Sequence, residues 1–303
     1  MKRVLICGSN GLLGQRLSLL LGNQTEYEVL NTSRQRSFVF DPQLFDYTQL
    51  DITHKGDVKS LVSSFQPTVI INAAGATNVD WCETNREEAW KANVTGVDNL
   101  IEATRKVGAK LIHVSTDYIF DGKNGPYDEL ARPNPISYYG KTKLAAENAI
   151  LVSGIPHAIV RTIVLYGHGI GVRSNFILWV VQNLHDHKPI RCVEDQISNP
   201  TYIADLALAI IRIFELDRAG TYHVCGRERI SRYDFAVNAA TTFGLDPGLI
   251  EKIKTSALNQ LAPRPLVTGF ITLKAETELD YRPLDTMEGL SLLKRELQTS
   301  GRN

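Results

Sequence analysis

The first half of the chain alternates short apolar runs with longer stretches of helical periodicity. Five runs rich in valine, isoleucine and leucine predict strands buried on both faces: residues 3–7, 28–32, 68–72, 110–115 and 158–161. Stretches with apolar residues at helical spacing lie between them, at residues 12–21, 87–107 and 136–152. This alternation predicts an α/β protein built on a Rossmann-type, doubly wound parallel sheet.

The second half of the chain has a less regular pattern. Helical periodicity covers residues 174–184, 203–215, 231–243 and 287–298, and strand-like pieces cover 189–193 and 221–224. Prolines interrupt the chain at Pro247, Pro263, Pro265 and Pro283. We expect a smaller C-terminal α+β substrate lobe. The predicted division assigns residues 1–161 and about 189–218 to the Rossmann domain, and about 162–188 and 219–303 to the lobe.

The composition narrows the class of protein. The 303 residues include 33 Lys and Arg against 33 Asp and Glu, and this balance argues against binding of nucleic acid or an anionic membrane by bulk charge. No apolar run reaches the roughly 18 residues that a membrane-spanning helix needs. The start of the chain lacks the apolar core of a signal peptide, and the four cysteines have no CxxC or metal-ligand spacing. We therefore expect free thiols and a cytoplasmic location.

A glycine-rich turn follows the first predicted strand. Gly8, Gly11 and Gly14 form a GxxGxxG pattern at the start of the first predicted helix. Glycine permits a tight turn and close approach of the backbone to a pyrophosphate, while the helix N-terminus offers free N–H groups to the anion. The pattern predicts a dinucleotide site that includes Asn10 and Leu12 of the same turn.

The second predicted strand ends where the adenosine ribose of a dinucleotide is recognised. An NAD site has an acidic residue there, but this chain has Arg34 and Arg36 and no acid. Arg34 suits a 2′-phosphate, so we favour NADP(H) over NAD(H), with a solvated loop as the alternative. Asp51 and Ile52 follow the next segment. There the Asp51 carboxylate either lies near the adenine amine of the dinucleotide or caps a helix.

Tyr139 and Lys143 lie four residues apart in a predicted helix and so share one face. A free tyrosine has a pKa of about 10, too high for efficient proton transfer near neutrality, and a nearby ammonium favours the phenolate. The same lysine can hold the cofactor ribose. Ser115 and Thr116 end the fourth predicted strand, where a hydroxyl either hydrogen-bonds a substrate carbonyl or closes an ST-turn.

Several motifs in order resemble the extended short-chain dehydrogenase/reductase family. They are the glycine turn, Asn72-Ala73-Ala74-Gly75, Asn93-Val94, VSTDYIFDG at 114–122 and YYGKTKLAAE at 138–147. Within that family, VSTDYIFDG with PYDE at 126–129, SNFILWVV at 174–181, Asp195-Gln196, Asn199-Pro200-Thr201-Tyr202 and Arg264-Pro265 resemble the dTDP-4-dehydrorhamnose reductases. The chain departs from these reductases after Arg161-Thr162, where no tryptophan follows, and at Leu12, where a glutamine is usual.

The resemblance implies that NAD(P)H reduces the C4 ketone of a dTDP-linked 6-deoxyhexose. Thr116 then orients the carbonyl, Tyr139 donates the proton, and Lys143 tunes Tyr139 and binds the ribose. The glycines hold the pyrophosphate, and Asn93 supports the active-site hydrogen bonds. The remaining implied contacts are Ala73, Ala74 and Gly75 along the adenosine and ribose, and Asn175 and Arg264 at the substrate diphosphate.

Other functions remain open at this point. A nucleotide-sugar epimerase or dehydratase shares the architecture but keeps its cofactor bound. A non-catalytic NADP-binding subunit, resembling the β subunit of methionine adenosyltransferase, is a different class. Glu83 matches an acid that some family members use for magnesium between subunits, yet we predict no metal, and solvated polar residues explain His185-Asp186-His187 better than a ligand set. The partner is a small nucleotide-sugar, with a homodimer left open.

Overall fold

The computed structural model describes residues 1–172 and 174–300. Its centre is a seven-stranded sheet made of β1 (Lys2–Cys7), β2 (Tyr27–Ser33), β3 (Tyr47–Gln49), β4 (Val69–Asn72), β5 (Lys110–Thr116), β6 (His157–Thr162) and β11 (Gly220–His223). The strands lie in the order β3-β2-β1-β4-β5-β6-β11, with every neighbouring pair parallel. The predicted α/β fold class with a Rossmann-type parallel sheet is confirmed.

Within the described residues, three two-stranded ladders lie outside the central sheet. They pair β7 (Leu165–Tyr166) with β10 (Thr201–Tyr202), β8 (Ile190–Val193) with β13 (Ile250–Ile253), and β9 (Ile197–Ser198) with β12 (Ile230–Ser231). The last pair is antiparallel and the other two are parallel. These ladders join distant parts of the second half of the chain, where short pieces of strand rather than one sheet organise the backbone.

Eleven α-helices complete the described part of the chain. Their bounds are α1 (Leu12–Gly22), α2 (Lys55–Phe65), α3 (Val79–Thr84), α4 (Arg86–Trp90), α5 (Gly96–Val107), α6 (Tyr138–Val152), α7 (Phe176–His185), α8 (Ile203–Glu215), α9 (Arg232–Phe243), α10 (Leu273–Leu279) and α11 (Thr286–Ser300). A π-helical turn covers Lys91–Thr95, and short 3₁₀ helices cover Asp117–Ile119, Pro247–Leu249 and Thr255–Ala257. None of the described helices has the length and hydrophobicity to cross a membrane.

The two faces of the sheet are covered by different helices. Successive strand residues point to opposite faces, so Leu5 of β1 packs with α2, α5 and α6, while Val4 and Ile6 pack with α1 and α8. Both faces are therefore buried, which explains why the central strands are continuous apolar runs without a polar side.

Several observed elements were not predicted, namely β3, β7, β9, β10, β12, β13, α2, α3 and α10, and one predicted helix is divided. Among them, α2 carries Val58 and Val62, which are four residues apart and both buried. The predicted helix 87–107 is divided into α4, the π-helical turn and α5. Gly96 begins α5 where a Cβ atom would lie 2.8 Å from the side chain of Ile52, so the helix passes close to that residue.

The pairing of two strands differs from the predicted division of the chain. We placed residues 221–224 in the C-terminal lobe, but β11 extends the central sheet beside β6. We placed residues 189–193 in the Rossmann domain, but β8 pairs with β13 outside that sheet. Both strands are short, and their partners are set by long-range packing rather than by local pattern. The division into two domains stays a prediction.

Candidate active site

The glycine turn packs tightly against the end of β4. Gly8 has a φ of 87°, and a Cβ at this position would lie 2.7 Å from the backbone nitrogen of Ala74. A Cβ on Gly14 would collide with the backbone of Gly8 and Ser9. Helix α1 follows with Gly11 at its N-cap and no side-chain cap. The turn therefore leaves open backbone N–H groups at a helix N-terminus, the arrangement that suits a pyrophosphate.

Asn10 has a structural role in this turn. Its side chain is 7% exposed, and its Nδ2 donates to Ser33 Oγ at 3.1 Å and to Gln35 Oε1 at 3.0 Å. Its Oδ1 accepts from Val39 N at 3.1 Å. These bonds join the turn to the loop after β2. Leu12, the other predicted turn contact, packs its side chain partly into the core.

The residues expected at the adenosine lie in two neighbouring loops. Arg34 is exposed, and its charge reaches the Asp51 carboxylate. Partial burial acts to raise the pKa of Asp51, but the Thr53 N–H, at 2.9 Å from Oδ1, and the nearby cations hold it below its usual value. Asp51 thus closes a turn before α2, whose N-cap is His54, while Ile52 is buried beside Gly96.

Asn93 fixes the loop that follows β4. It lies in the π-helical turn, where its Oδ1 accepts from Ala76 N at 2.7 Å and its Nδ2 donates to Thr142 Oγ1 at 2.9 Å. A Cβ on Gly75 would lie 2.9 Å from Asn93 Oδ1, so only glycine allows this approach. Asn93 therefore ties the loop containing Ala73 and Ala74 to helix α6.

Thr116 and Tyr139 meet at the carboxyl end of β5. Thr116 Oγ1 accepts a hydrogen bond from Tyr118 N at 3.2 Å, which is the ST-turn alternative, and donates to Asp117 Oδ1 at 3.2 Å. Burial raises the pKa of Tyr139, and the neighbouring Thr116 hydroxyl opposes that rise. The ring of Tyr118 lies edge-on at 5.5 Å from that of Tyr139. Ser115 Oγ is buried without a partner among the described residues.

Lys143 lies below Tyr139 on the same helix and is 6% exposed. Burial lowers the pKa of its amine to about 8, against the opposing effect of Glu147. Its Nζ lies 3.0 Å from His113 Nε2 and donates to Val114 O at 2.8 Å. Within the described part of the chain it makes no hydrogen bond to Tyr139. The spacing correctly predicted a shared helix face, but it did not reveal His113 as the partner.

The N-terminus of α6 is held by two side chains. Ser137 Oγ accepts from Gly140 N at 3.2 Å, and Glu83 Oε2 accepts from Tyr138 N at 2.9 Å. The Tyr138 N–H, followed by Arg86, holds the pKa of Glu83 below its usual value. Glu83 is thus a helix cap, and no group of three or more His, Cys, Asp or Glu side chains within residues 1–172 and 174–300 is arranged for a metal ion.

The two residues expected at the substrate diphosphate both have partners within the protein. Asn175 caps α7, because its Oδ1 accepts from Leu178 N at 3.2 Å while its Nδ2 donates to Gly167 O at 2.7 Å. Arg264 forms a two-pronged ion pair with Asp80, with both N–O distances at 2.8 Å. Both side chains keep N–H groups that these bonds do not use, because a guanidinium has five N–H donors and an amide has two.

A cleft beside Tyr118 contains polar residues that the sequence analysis missed. It is lined by Asp117, Tyr118, Arg232 and Thr268, among others. Burial raises the pKa of Asp117 to about 6, and Thr268 donates to its Oδ2 at 2.8 Å. The Arg232 guanidinium lies over the Phe176 ring at 5.0 Å and, among the described residues, forms no ion pair. Asp117 could have been found, since it follows Thr116 directly, but nothing in the local sequence of Arg232 indicates the cleft.

A parallel sheet with a glycine turn, and with a Tyr-Lys helix beside the threonine that ends β5, defines a dinucleotide-binding protein of the extended short-chain dehydrogenase/reductase type. Comparison with family models narrows this class. The model for the RmlD substrate binding domain matches residues 1–298, and the chain belongs to that family.

Individual relatives agree with this assignment. The dTDP-4-dehydrorhamnose reductase of Aggregatibacter actinomycetemcomitans is 34% identical, over 97% of this chain and 99% of that protein. A dTDP-4-dehydrorhamnose reductase structure from Clostridium acetobutylicum has a TM-score of 0.88 at 32% identity, covering 98% of this chain and 99% of the other. A Bacillus anthracis reductase in complex with NADP has a TM-score of 0.84 at 31% identity, covering 98% and 100%.

The non-catalytic NADP-binding subunit, which the sequence left open as an alternative, also has a relative among known proteins. Methionine adenosyltransferase 2 subunit beta of Bos taurus is 31% identical, over 84% of this chain and 76% of that protein. Relatives with different names therefore share one fold, and the residues of the site must be used to distinguish their functions.

Proposed function

We propose that the chain is an NADPH-dependent reductase of the C4 ketone of a dTDP-linked 6-deoxyhexose. The observation that carries this proposal is the position of Tyr139, buried on α6 beside Thr116 at the carboxyl end of β5, where the Thr116 hydroxyl acts to lower the pKa of Tyr139. That end of the sheet also carries the glycine turn, because Gly8 packs against the loop after the neighbouring strand β4. A donor pair for a carbonyl thus lies at the same sheet edge as the dinucleotide cradle.

The residues present fit a dinucleotide. Gly8 and Gly14 let the backbone of the turn pack closely on itself and on the loop after β4, where a Cβ would collide, and the uncapped start of α1 offers N–H groups to phosphate. Arg34 supplies an exposed positive charge near Asp51, which suits a 2′-phosphate better than a neutral ribose hydroxyl. The named NADP complex of a relative supports the same preference.

The catalytic residues have distinct roles in the proposed reaction. When bound, NADPH supplies the hydride that C4 receives. Thr116 and Tyr139 bind the carbonyl oxygen, and Tyr139 transfers its phenolic proton to the oxygen as negative charge develops there. The raised pKa of Tyr139 keeps the phenol protonated before the reaction, as a proton donor requires. Lys143 then returns a proton to the tyrosine oxygen through a bridging hydroxyl or water, since the two groups are not hydrogen-bonded to each other, and it would hold the cofactor ribose.

We propose that the diphosphate of the nucleotide-sugar lies at the mouth of the cleft beside Tyr118, which is itself too small for more than about one water molecule. A diphosphate needs hydrogen-bond donors and a counter-charge when it leaves water. Arg232 offers a guanidinium with no ion-pair partner among the described residues, whereas the charge of Arg264 is shared with Asp80. We therefore assign Arg232 to the diphosphate, with Arg264 and Asn175 remaining proposed contacts through the N–H groups that their present bonds do not use.

The proposed function is tested by following NADPH oxidation against a panel of dTDP-, GDP- and UDP-linked 4-keto-6-deoxy sugars. We expect turnover with the dTDP-linked sugar and slower turnover with NADH. Purification with stoichiometric bound NAD and no net oxidation would favour an epimerase or dehydratase. Binding of NADPH without turnover of any sugar would favour a regulatory subunit, in line with the methionine adenosyltransferase relative.

A further inference from the structure

Three buried polar side chains form a line beneath helix α6. Asn72 at the end of β4 is fully buried, and His113 on β5 and Lys143 on α6 are 1% and 6% exposed. Asn72 Nδ2 lies 3.1 Å from His113 Nδ1, and His113 Nε2 lies 3.0 Å from Lys143 Nζ. The lysine of the proposed active site is therefore connected to the loop after β4 through an imidazole.

The orientation of the Asn72 amide is set by the backbone. Ala74 N lies 3.1 Å from Asn72 Oδ1, and a backbone N–H can only donate, so the oxygen of the amide must face it. The amide NH₂ then faces His113 Nδ1 and can itself only donate. His113 Nδ1 must therefore accept, and it carries no proton.

This constraint determines the tautomer of His113. Burial is the main cause that holds the pKa of His113 well below its usual value, so the imidazole is neutral. A neutral imidazole with an unprotonated Nδ1 has its proton on Nε2. That N–H points toward Lys143 Nζ. An ammonium there would place two donors against each other, whereas a neutral amine accepts from Nε2–H and still donates to Val114 O.

We propose that Asn72 is a positioning residue that locks His113 in the Nε2–H tautomer, which disfavours the ammonium form of Lys143 and makes this lysine a readier proton donor. This inference rests on the proposed function. After each reduction, an N–H bond of Lys143 breaks and the O–H bond of Tyr139 re-forms, so the two opposite charges disappear together. A bridging hydroxyl or water must carry this proton, because Lys143 is hydrogen-bonded to His113 and Val114 and not to Tyr139. The resulting amine is the form that the His113 N–H accommodates.

Other charges around Lys143 do not replace this effect. Glu147, one turn further along α6, favours the ammonium, but it is itself paired with Arg161 of β6 at 2.7 Å. Tyr139 is protonated at neutral pH. His113 is thus the group in direct contact with the amine whose hydrogen-bonding state can be changed from a distance, through Asn72.

The direct test is the tautomer of His113 in the coenzyme-free protein, measured by ¹⁵N–¹H correlation of the imidazole nitrogens, with His113→Gln identifying the signal. We expect a proton on Nε2 and none on Nδ1. A proton on Nδ1 in the wild-type protein would overturn the proposal, whether or not the protein reduces a sugar.

The consequence for Lys143 is tested with two variants and the alkaline limb of the pH profile of kcat/KM. Asn72→Asp keeps an oxygen that accepts from Ala74 N–H, but its second oxygen accepts a hydrogen bond from His113 Nδ1–H. The tautomer of His113 should therefore switch, and the alkaline limb should move to higher pH by about one pH unit or more. His113→Gln can accept from Asn72 and donate to Lys143, so the limb should stay near the wild-type position. Equal shifts in both variants, or an unchanged tautomer in Asn72→Asp, would contradict the proposal.

Discussion

Glu83 accepts a hydrogen bond from the backbone N–H of Tyr138, at 2.9 Å, so a carboxylate lies at the amino end of the helix that carries Tyr139 and Lys143. The negative charge at this end interacts favourably with the helix dipole and satisfies a backbone donor that has no partner within the helix. The start of α6 is thereby fixed by a residue of α3, more than fifty positions earlier in the chain.

Loss of this charge should loosen the start of α6. Glu83→Gln retains the shape of the side chain but removes the charge, and we expect the free energy of unfolding to fall by about 0.5–1 kcal/mol. Urea unfolding measures the change, with the exposed Glu26→Gln as the matched control. An effect no larger than that of the control would show that Glu83 does not stabilise the helix.

Arg34 should distinguish the two dinucleotides. Arg34→Ala removes the charge proposed to face a 2′-phosphate, and we expect NADPH affinity to fall about tenfold or more while NADH affinity changes little. Fluorescence titration of each coenzyme gives the two dissociation constants. Arg36→Ala, a neighbouring exposed arginine, is the control. Equal losses for NADPH and NADH in Arg34→Ala would contradict the cofactor preference.

The Asp80–Arg264 ion pair can be separated from any contact of Arg264 with substrate by a double-mutant cycle. If Arg264 acts only through Asp80, then Asp80→Asn and Arg264→Gln should each lower the free energy of unfolding, with a coupling energy of about 1 kcal/mol between them. Both variants should then have similar, small effects on KM. If Arg264 binds the diphosphate, Arg264→Gln should still raise KM in the Asp80→Asn background. Steady-state kinetics of the four proteins decide between these outcomes.

The buried pair of Glu147 and Arg161 should be the most sensitive ion pair to disruption. The two side chains are 1% and 6% exposed, and Glu147→Gln would leave the guanidinium without its counter-charge. We expect a loss of about 3–5 kcal/mol in the free energy of unfolding. Glu102→Gln, which breaks an exposed pair with Lys55, should cost less than about 1 kcal/mol. Comparable losses in the two variants would refute this difference.

Much of the sheet and of the cofactor turn could be predicted from the sequence, since both depend on local pattern. Continuous apolar runs identify strands buried on two faces, and the glycines of the turn have backbone reasons to be glycine, as Gly8 shows with its φ of 87°. Asn175 also carried a local signal, because an asparagine directly before a helical stretch is a preferred N-cap, and we assigned it to substrate instead.

Other features depend on contacts between distant residues. The pairing of Arg264 with Asp80, 184 positions away, could not be read from either segment. The polar His113 within a buried strand marked an unusual position, but its partners Asn72 and Lys143 come from another strand and a helix. Strand β11 is four residues long and joins the central sheet through packing against β6.

The central claim, that Tyr139 donates the proton beside a bound dinucleotide, is tested most directly by the turnover of Tyr139→Phe together with its dissociation constant for NADPH. The account predicts a fall in kcat of about 10²–10⁴-fold with NADPH affinity near wild type, and little change in Tyr138→Phe. Turnover of Tyr139→Phe equal to that of the wild-type protein would contradict the account.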